Sequence, residues 1–273
     1  MKLHFYKFQG AGNDFIIVDG RNLEFQLSER EINFLCHRRF GIGADGLMIL
    51  GSDPEMDFTM RYYNSDGKEG SMCGNGGRCL VACAARLGIS PRAGSFVFSA
   101  IDGIHQAEII GDQGSEFQIR LGMNNVDTID FYGKDGYYLN TGSPHLVLFD
   151  TDIARMDVSE RGAFWRNHPD FAPQGTNVNF VEVTSHGGLF VRTFERGVED
   201  ETLACGTGVT AAAIAAYVHA ANRQTKPSEG SSTYAIRTPG GHLQVSFKSL
   251  GMQFYDVQLT GPAKFVFEGE IQL

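Results

Sequence analysis

The sequence is poor in several things. Tryptophan occurs once and proline eight times in 273 residues, and no stretch approaches 18 uninterrupted apolar residues, so no membrane-spanning helix is expected. The opening Met1-Lys-Leu-His-Phe-Tyr-Lys-Phe8 alternates like a strand and lacks a signal peptide's apolar block and cleavage site. Basic residues are the minority, 23 against 32 acidic, and no Lys/Arg-rich run concentrates them. A net charge of −9 excludes the cationic surface of sequence-independent nucleic-acid binding and disfavours anionic membranes. Cysteines at 36, 73, 79, 83 and 205 are too few and odd in number for a disulfide framework. They predict a cytoplasmic chain with reduced thiols. The C-x-x-C of a thiol–disulfide enzyme is absent, and Cys73, Cys79 and Cys83 have neither the spacing nor the His cluster of a zinc site, so no metal is expected.

Glycine is in excess. The 34 glycines are about 12% of the chain, against a usual ~7%, as short strands joined by tight turns require. With 42% hydrophobic and 20% charged residues the chain is globular, and its length suits two domains of ~100–150 residues. Phe58, Met60 and Tyr62 share a strand face, as do Phe117, Ile119 and Leu121, and Leu243, Val245 and Phe247. Similar runs lie at 15–19, 94–101, 103–110, 136–140, 145–150, 178–184, 188–194 and 253–259. Helices are predicted over 29–39 (Ser28 as cap, Glu31 at the box position), 153–166, 75–87 and 207–221, the last ended by Asn222. The last two are rich in small residues. Residues 209–218 are apolar nearly all round, as a helix wrapped by a curved sheet must be.

An internal repeat organises these elements. Met72-Cys-Gly-Asn-Gly76 matches Ala204-Cys-Gly-Thr-Gly208, with the cysteines 132 residues apart. Met60-Arg-Tyr-Tyr-Asn64 parallels Val191-Arg-Thr-Phe-Glu195, Ala44-Asp-Gly46 parallels Thr176-Asn-Val178, and 13–19 parallels 144–150, all at offsets of 131 or 132. The expected fold is therefore α+β: two pseudo-symmetric domains, each a curved, mostly antiparallel sheet or barrel around a central buried helix. The first spans 1–115 with a return strand in 261–273, and the second spans 116–260.

Cys followed by Gly-x-Gly at a helix start is a specific arrangement. A helix N-terminus presents N–H donors and partial positive charge, which lowers a thiol's pKa from ~8.5. The glycines let backbone approach a ligand, and the donors suit a carboxylate. Two such thiols in equivalent halves suit inversion at a stereocentre, one removing a proton from one face while the other delivers one to the opposite face. This needs neither metal nor organic cofactor. Cys79 and Cys83 have no counterparts in the second half and read as core, as does Cys36. A lone His145 is more often structural. Glu195 and Arg196 could be a surface charge pair, but their place in the repeat opposite Asn64 argues for a cleft between the halves. The residues also leave open a redox switch in which Cys73 and Cys205 pair.

Over essentially its whole length the chain resembles the diaminopimelate epimerase family, cofactor-independent two-cysteine enzymes of lysine and peptidoglycan synthesis. The resemblance rests on Gly10-Ala-Gly-Asn-Asp-Phe15, Gly41-Ile-Gly-Ala-Asp45, Asn64-Ser-Asp-Gly67, Met72-Cys-Gly-Asn-Gly-Gly-Arg-Cys79, Ser143-Pro-His145, Thr176-Asn-Val-Asn179, Glu195-Arg-Gly197 and Ala204-Cys-Gly-Thr-Gly208. It implies epimerisation of L,L-2,6-diaminopimelate to the meso form, with Cys73 and Cys205 as the acid/base pair and His145 and Glu195 assisting. Asn13, Asn64, Asn177, Glu195 and Arg196 would hold polar groups of the substrate, and backbone N–H groups around Gly74, Asn75, Gly206 and Thr207 its α-carboxylate. A guanidinium fork at Arg196 independently suits a second, distal carboxylate. The chain departs from the family's common pattern at Gly46, at Ser143 and in one extra residue before Cys205. Racemisation of another amino acid, such as a proline derivative, is the alternative within the wider superfamily. The partner expected is a small-molecule substrate, with no nucleic acid or membrane and a homodimer allowed.

Overall fold

The computed structural model describes residues 2–22, 26–70, 72–224 and 229–273. The chain divides into two compact units, Met1–Leu121 with Gly261–Leu273, and Gly122–Thr260. The first carries β1 (Lys2–Gly10), β2 (Asn13–Asp19), α1 (Glu29–Cys36), β3 (Gly46–Gly51), β4 (Phe58–Asn64), β5 (Glu69–Gly70), α2 (Gly74–Arg86), β6 (Phe96–Ala100), β7 (Gly103–Asp112) and β8 (Glu116–Gly122). The second carries β9 (Ile129–Tyr132), β10 (Gly136–Asn140), β11 (Pro144–Phe149), α3 (Val158–Arg166), β12 (Asn177–Val183), β13 (Leu189–Glu195), β14 (Asp200–Thr202), α4 (Gly206–Gln224), β15 (Gly230–Thr238) and β16 (Gly241–Leu250). A long strand, β17 (Gln253–Gln272), contributes its first part to the second unit and its last part to the first.

In the first unit β17, β1, β2, β3, β4, β6, β7 and β8 pair in that order, and β8 pairs back to β17. This closes an eight-stranded barrel. Against the expected boundary after residue 115, the first unit runs to Leu121, because β8 is paired on both edges by strands of that unit. The second unit repeats the circuit through β9, β10, β11, β12, β13, β15, β16 and β17, completed by a bridge from Val126 to Phe254. In each circuit two pairings are parallel, β2–β3 and β4–β6 in the first, β11–β12 and β13–β15 in the second. Parallel neighbours need a crossover, and the four helices supply them.

Composition sorts the crossovers. In α2 every residue from Gly74 to Ala84 is buried, and α2 packs on β1, β2, β3, β4 and β7. In α4, Val209 through Ala216 are buried, and α4 packs on β10 to β13, β15 and β16. Glycine and alanine make these helices slim enough for the interior of a small barrel, which side chains would otherwise fill. The polar α1 and α3 each cover a separate cluster. Ile32, Leu35 and Cys36 lie on Leu47 and Tyr63, and Val158 lies on Phe180 and Phe194.

Three helix boundaries differ from expectation. α1 has its capping box, Ser28 Oγ accepting from the Glu31 N–H and the Glu31 carboxylate accepting from the Ser28 N–H. It ends at Cys36 and not at 39, because the Ile42 and Gly43 N–H groups fold back onto the Leu35 carbonyl and satisfy the helix end. The segment 153–166 breaks into a 3-10 turn, Ile153–Arg155, and α3, newly capped by Asp157. Arg192 takes the carbonyls of Ile153 and Met156, each at 2.7 Å, which a continuous helix would have used itself. α4 runs past Asn222 to Gln224, since Asn stops helices far less often than Gly. Among the described residues no helix is long and apolar enough to cross a membrane.

Candidate active site

Cys73 is the N-cap of α2, in extended conformation, and its carbonyl accepts from the Gly77 N–H at 2.7 Å. Its thiol is part-exposed and donates to Asn13 Oδ1 at 3.7 Å. The same oxygen accepts from Asn75 Nδ2 at 3.4 Å, while Asn13 Nδ2 donates to Asp45 Oδ2 at 2.5 Å. Asn13, expected to hold a polar group of the substrate, lies here against Cys73, and Asn75, expected to act through its backbone N–H, adds its side-chain amide to the same oxygen. Behind them Arg38 bridges Asp14 (2.7 Å) and Asp45 (2.6 Å), and Lys7 pairs with Asp14 at 2.7 Å. Burial pulls the Asp14 carboxyl upward, but hydrogen bonds and charge from Arg38 and Lys7 outweigh it and hold the group at about 2.

Asn64 lies exposed at the end of β4, opposite Gly46 on β3. A Cβ at Gly46 would stand 2.6 Å from the Tyr62 ring and 2.7 Å from the Tyr63 carbonyl oxygen. The departure at this position therefore has a steric reason. Cys79 is fully buried and pushed up to about 12 by burial, and Cys36 likewise. Burial pushes Cys83 up as well. These three thiols stay protonated and belong to the core.

In the second unit Cys205 precedes α4, 8% exposed, and its carbonyl accepts from the Val209 N–H at 2.9 Å. Its sulfur lies 3.4 Å from Thr207 Oγ1, which is 2.9 Å from His145 Nε2. Ser143 Oγ joins at 3.0 Å from the same nitrogen. On the far side Asn179 Nδ2 faces His145 Nδ1 at 3.0 Å and donates to the Leu146 carbonyl at 3.1 Å, while Asn179 Oδ1 accepts from Thr193 Oγ1 at 3.0 Å. Turning the Asn179 amide would set oxygen against the Leu146 carbonyl, so Nδ1 is the acceptor and Nε2 carries the proton. Burial, aided by the Arg196 charge, pushes His145 down to about 3. The imidazole is neutral and is linked to Cys205 through Thr207.

Asn177 is 4% exposed and already engaged: Oδ1 accepts from the Arg196 N–H at 2.9 Å, and Nδ2 donates to the Pro144 carbonyl at 2.9 Å and to Ser143 Oγ at 3.2 Å. It orients the backbone that carries Arg196. Glu195 ends β13, half-buried, and its carbonyl accepts from the Glu199 N–H at 2.8 Å. Gly208 has no room for a side chain, since a Cβ would stand 2.4 Å from Asn179 Oδ1 and 3.3 Å from Cys205 Sγ. Gly208→Ala is therefore expected to displace Asn179 and lower turnover about tenfold or more, in line with the cost of small misplacements near reacting groups. Steady-state rates with the fold checked by circular dichroism measure it.

Sequence reasoning missed Arg78, Asp45 and Asn179 as parts of these networks. Asn179 had a signal, since it stands two residues from Asn177 on one face of β12. Among the described residues no group of three or more His, Cys, Asp or Glu is placed to hold a metal ion.

Comparison with known proteins bears on the whole chain. The sequence model of the diaminopimelate epimerase family matches residues 5–126 and 137–266. The diaminopimelate epimerase of Flavobacterium psychrophilum is 46% identical over 273 residues, covering 99% of this chain and 100% of the relative. That of Chlorobaculum tepidum is 40% identical over 265 residues, covering 97% and 99%. Among solved structures, a phenazine biosynthesis protein of the PhzF family from Bacillus anthracis superposes with a TM-score of 0.74, each chain fully covered, at 15% identity. That last likeness concerns the fold alone.

Proposed function

The chain belongs to the diaminopimelate epimerase family and is an isomerase, and from that premise we propose how its residues interconvert L,L-2,6-diaminopimelate and the meso form, as a cytoplasmic step toward lysine and peptidoglycan precursors. The observation that carries the reading is local. Two units with one strand order each open a buried helix on Cys-Gly-x-Gly. In this reading one thiol, as thiolate, removes the α-proton, and the other delivers a proton to the opposite face. The reverse reaction exchanges their roles. Charge developing on the α-carboxylate meets backbone N–H groups at the starts of α2 and α4, around Gly74, Asn75, Gly206 and Thr207. Donors preorganised for such charge are worth ~3–4 kcal/mol each. Arg196, held by Asn177, takes the distal carboxylate, with Glu195 beside it and Asn13 and Asn64 on polar groups of the substrate. Neutral His145 keeps the Thr207 hydroxyl turned to Cys205, so its part is to orient.

Incubating the reduced protein with L,L-diaminopimelate in D2O tests reaction and substrate together. Deuterium should enter one α-carbon as the meso form appears. Exchange no greater than in a Cys73→Ala, Cys205→Ala double variant overturns the reading, and exchange of a proline derivative alone moves it to another substrate.

A further inference from the structure

Arg78 lies within α2 with no exposed surface. Burying a cation costs several kcal/mol unless an anion offsets it, yet its hydrogen bonds go to neutral oxygens: the Gly74 carbonyl at 3.1 Å, Asn75 Oδ1 at 2.9 Å and the Pro262 carbonyl at 3.4 Å. Arginine keeps its proton even so. The other cations behind Cys73, Lys7 of β1 and Arg38, are engaged by Asp14 of β2 and by Asp45. Among the described residues no carboxylate forms an ion pair or hydrogen bond with Arg78. The groups whose charge acts on it are the thiols of Cys79 and Cys73, and Cys79 stays protonated.

We propose that Arg78 is a positioning residue for the epimerisation: its guanidinium fixes the Asn75 amide, and through it Asn13, against Cys73, and supplies the standing positive charge beside which the Cys73 thiolate forms. Donation runs from Arg78 Nη2 to Asn75 Oδ1, from Asn75 Nδ2 to Asn13 Oδ1, and from the Cys73 thiol to the same Asn13 oxygen. When Cys73 ionises, its thiol donation is lost and the fixed charge remains. The proposal rests on the acid/base reading of Cys73, but its test does not require turnover.

The test is the pH dependence of iodoacetamide alkylation at Cys73, quantified by peptide mass in the full-length protein, with Cys205 read in the same digest. Arg78→Met should raise the Cys73 midpoint by about one pH unit or more and leave that of Cys205 in place. Arg78→Lys keeps charge without the fork, so it should hold the midpoint while slowing α-proton exchange. An unmoved Cys73 midpoint in folded Arg78→Met overturns the proposal. If that variant does not fold, a Cys73 midpoint raised in folded Arg78→Lys overturns it. A wild-type protein that alkylates as expected but exchanges no α-proton overturns the epimerase reading instead.

Discussion

Alanine at Cys73 or at Cys205 is expected to cut interconversion of the two diaminopimelate epimers to a residual rate, while each single variant should still exchange the α-hydrogen of one epimer. A positioned acid or base contributes ~10²–10⁴-fold, and inversion needs both members, so either loss should lower interconversion by about that factor. Exchange without inversion needs only one. The remaining thiolate can remove the proton from its own face, lose it to D2O and return deuterium to the same face. Cys73→Ala and Cys205→Ala should therefore label opposite epimers, each with retained configuration. Neither change should unfold the protein. The Cys73 side chain makes no capping hydrogen bond to the N–H groups of α2, and loss of the small Cys205 side chain is in the range of ~1 kcal/mol for an ordinary core truncation. Proton NMR of each epimer incubated separately in D2O reads the outcome. A single variant that labels both epimers, or interconverts them near the wild-type rate, would falsify the two-base assignment.

The architecture was legible because it is written in local periods and in their repetition. Alternating runs marked most strands, and the all-round apolar pattern at 209–218 marked α4 as a helix enclosed by sheet. β15 escaped because Gly230–Thr238 has polar residues where a core strand would be apolar, and seven of its nine positions are half- or fully exposed. The break in 153–166 depends on Arg192, a residue of β13 that no local window contains. The site divides in the same way. Cys73 and Cys205 were visible as a repeated motif, and so were the glycines that their helix starts require. Arg78 was not singled out, because an arginine in a small-residue helix reads as the solvated end of that helix. Its burial is decided in part by the Pro262 carbonyl, 184 residues away. Asn177 shows the converse. Its place in the motif was plain, but only the structure shows its amide engaged by Arg196, Pro144 and Ser143.

Stability of the second unit should fall as pH drops from about 6.5 toward 3, and His145→Gln should remove most of that fall. The folded imidazole is pushed from its ordinary 6.5 to about 3, first by burial and then by the Arg196 charge. In the unfolded chain it binds its proton below about 6.5. Between those values the unfolded state holds one proton more, so stability rises with pH there and is fully present above 6.5. One proton corresponds to about 1.4 kcal/mol per pH unit. Over the window of 3.5 units between the two values that amounts to about 4–5 kcal/mol. Asp14, held at about 2, adds its own loss only below about pH 4, where its unfolded carboxyl starts to bind protons. Urea unfolding at pH 4.5, 5.5 and 6.5 therefore isolates the histidine. His145→Gln lowers stability at neutral pH by breaking the contact to Asn179, so the quantity to compare is slope and not height. The variant's slope should be shallower by about 1.4 kcal/mol per pH unit. Equal slopes, or an imidazole resonance of His145 titrating near 6.5, would mean that the ring takes up its proton in the folded state. Thr207 would then face an imidazolium, and Cys205 a positive charge where the geometry provides a neutral donor.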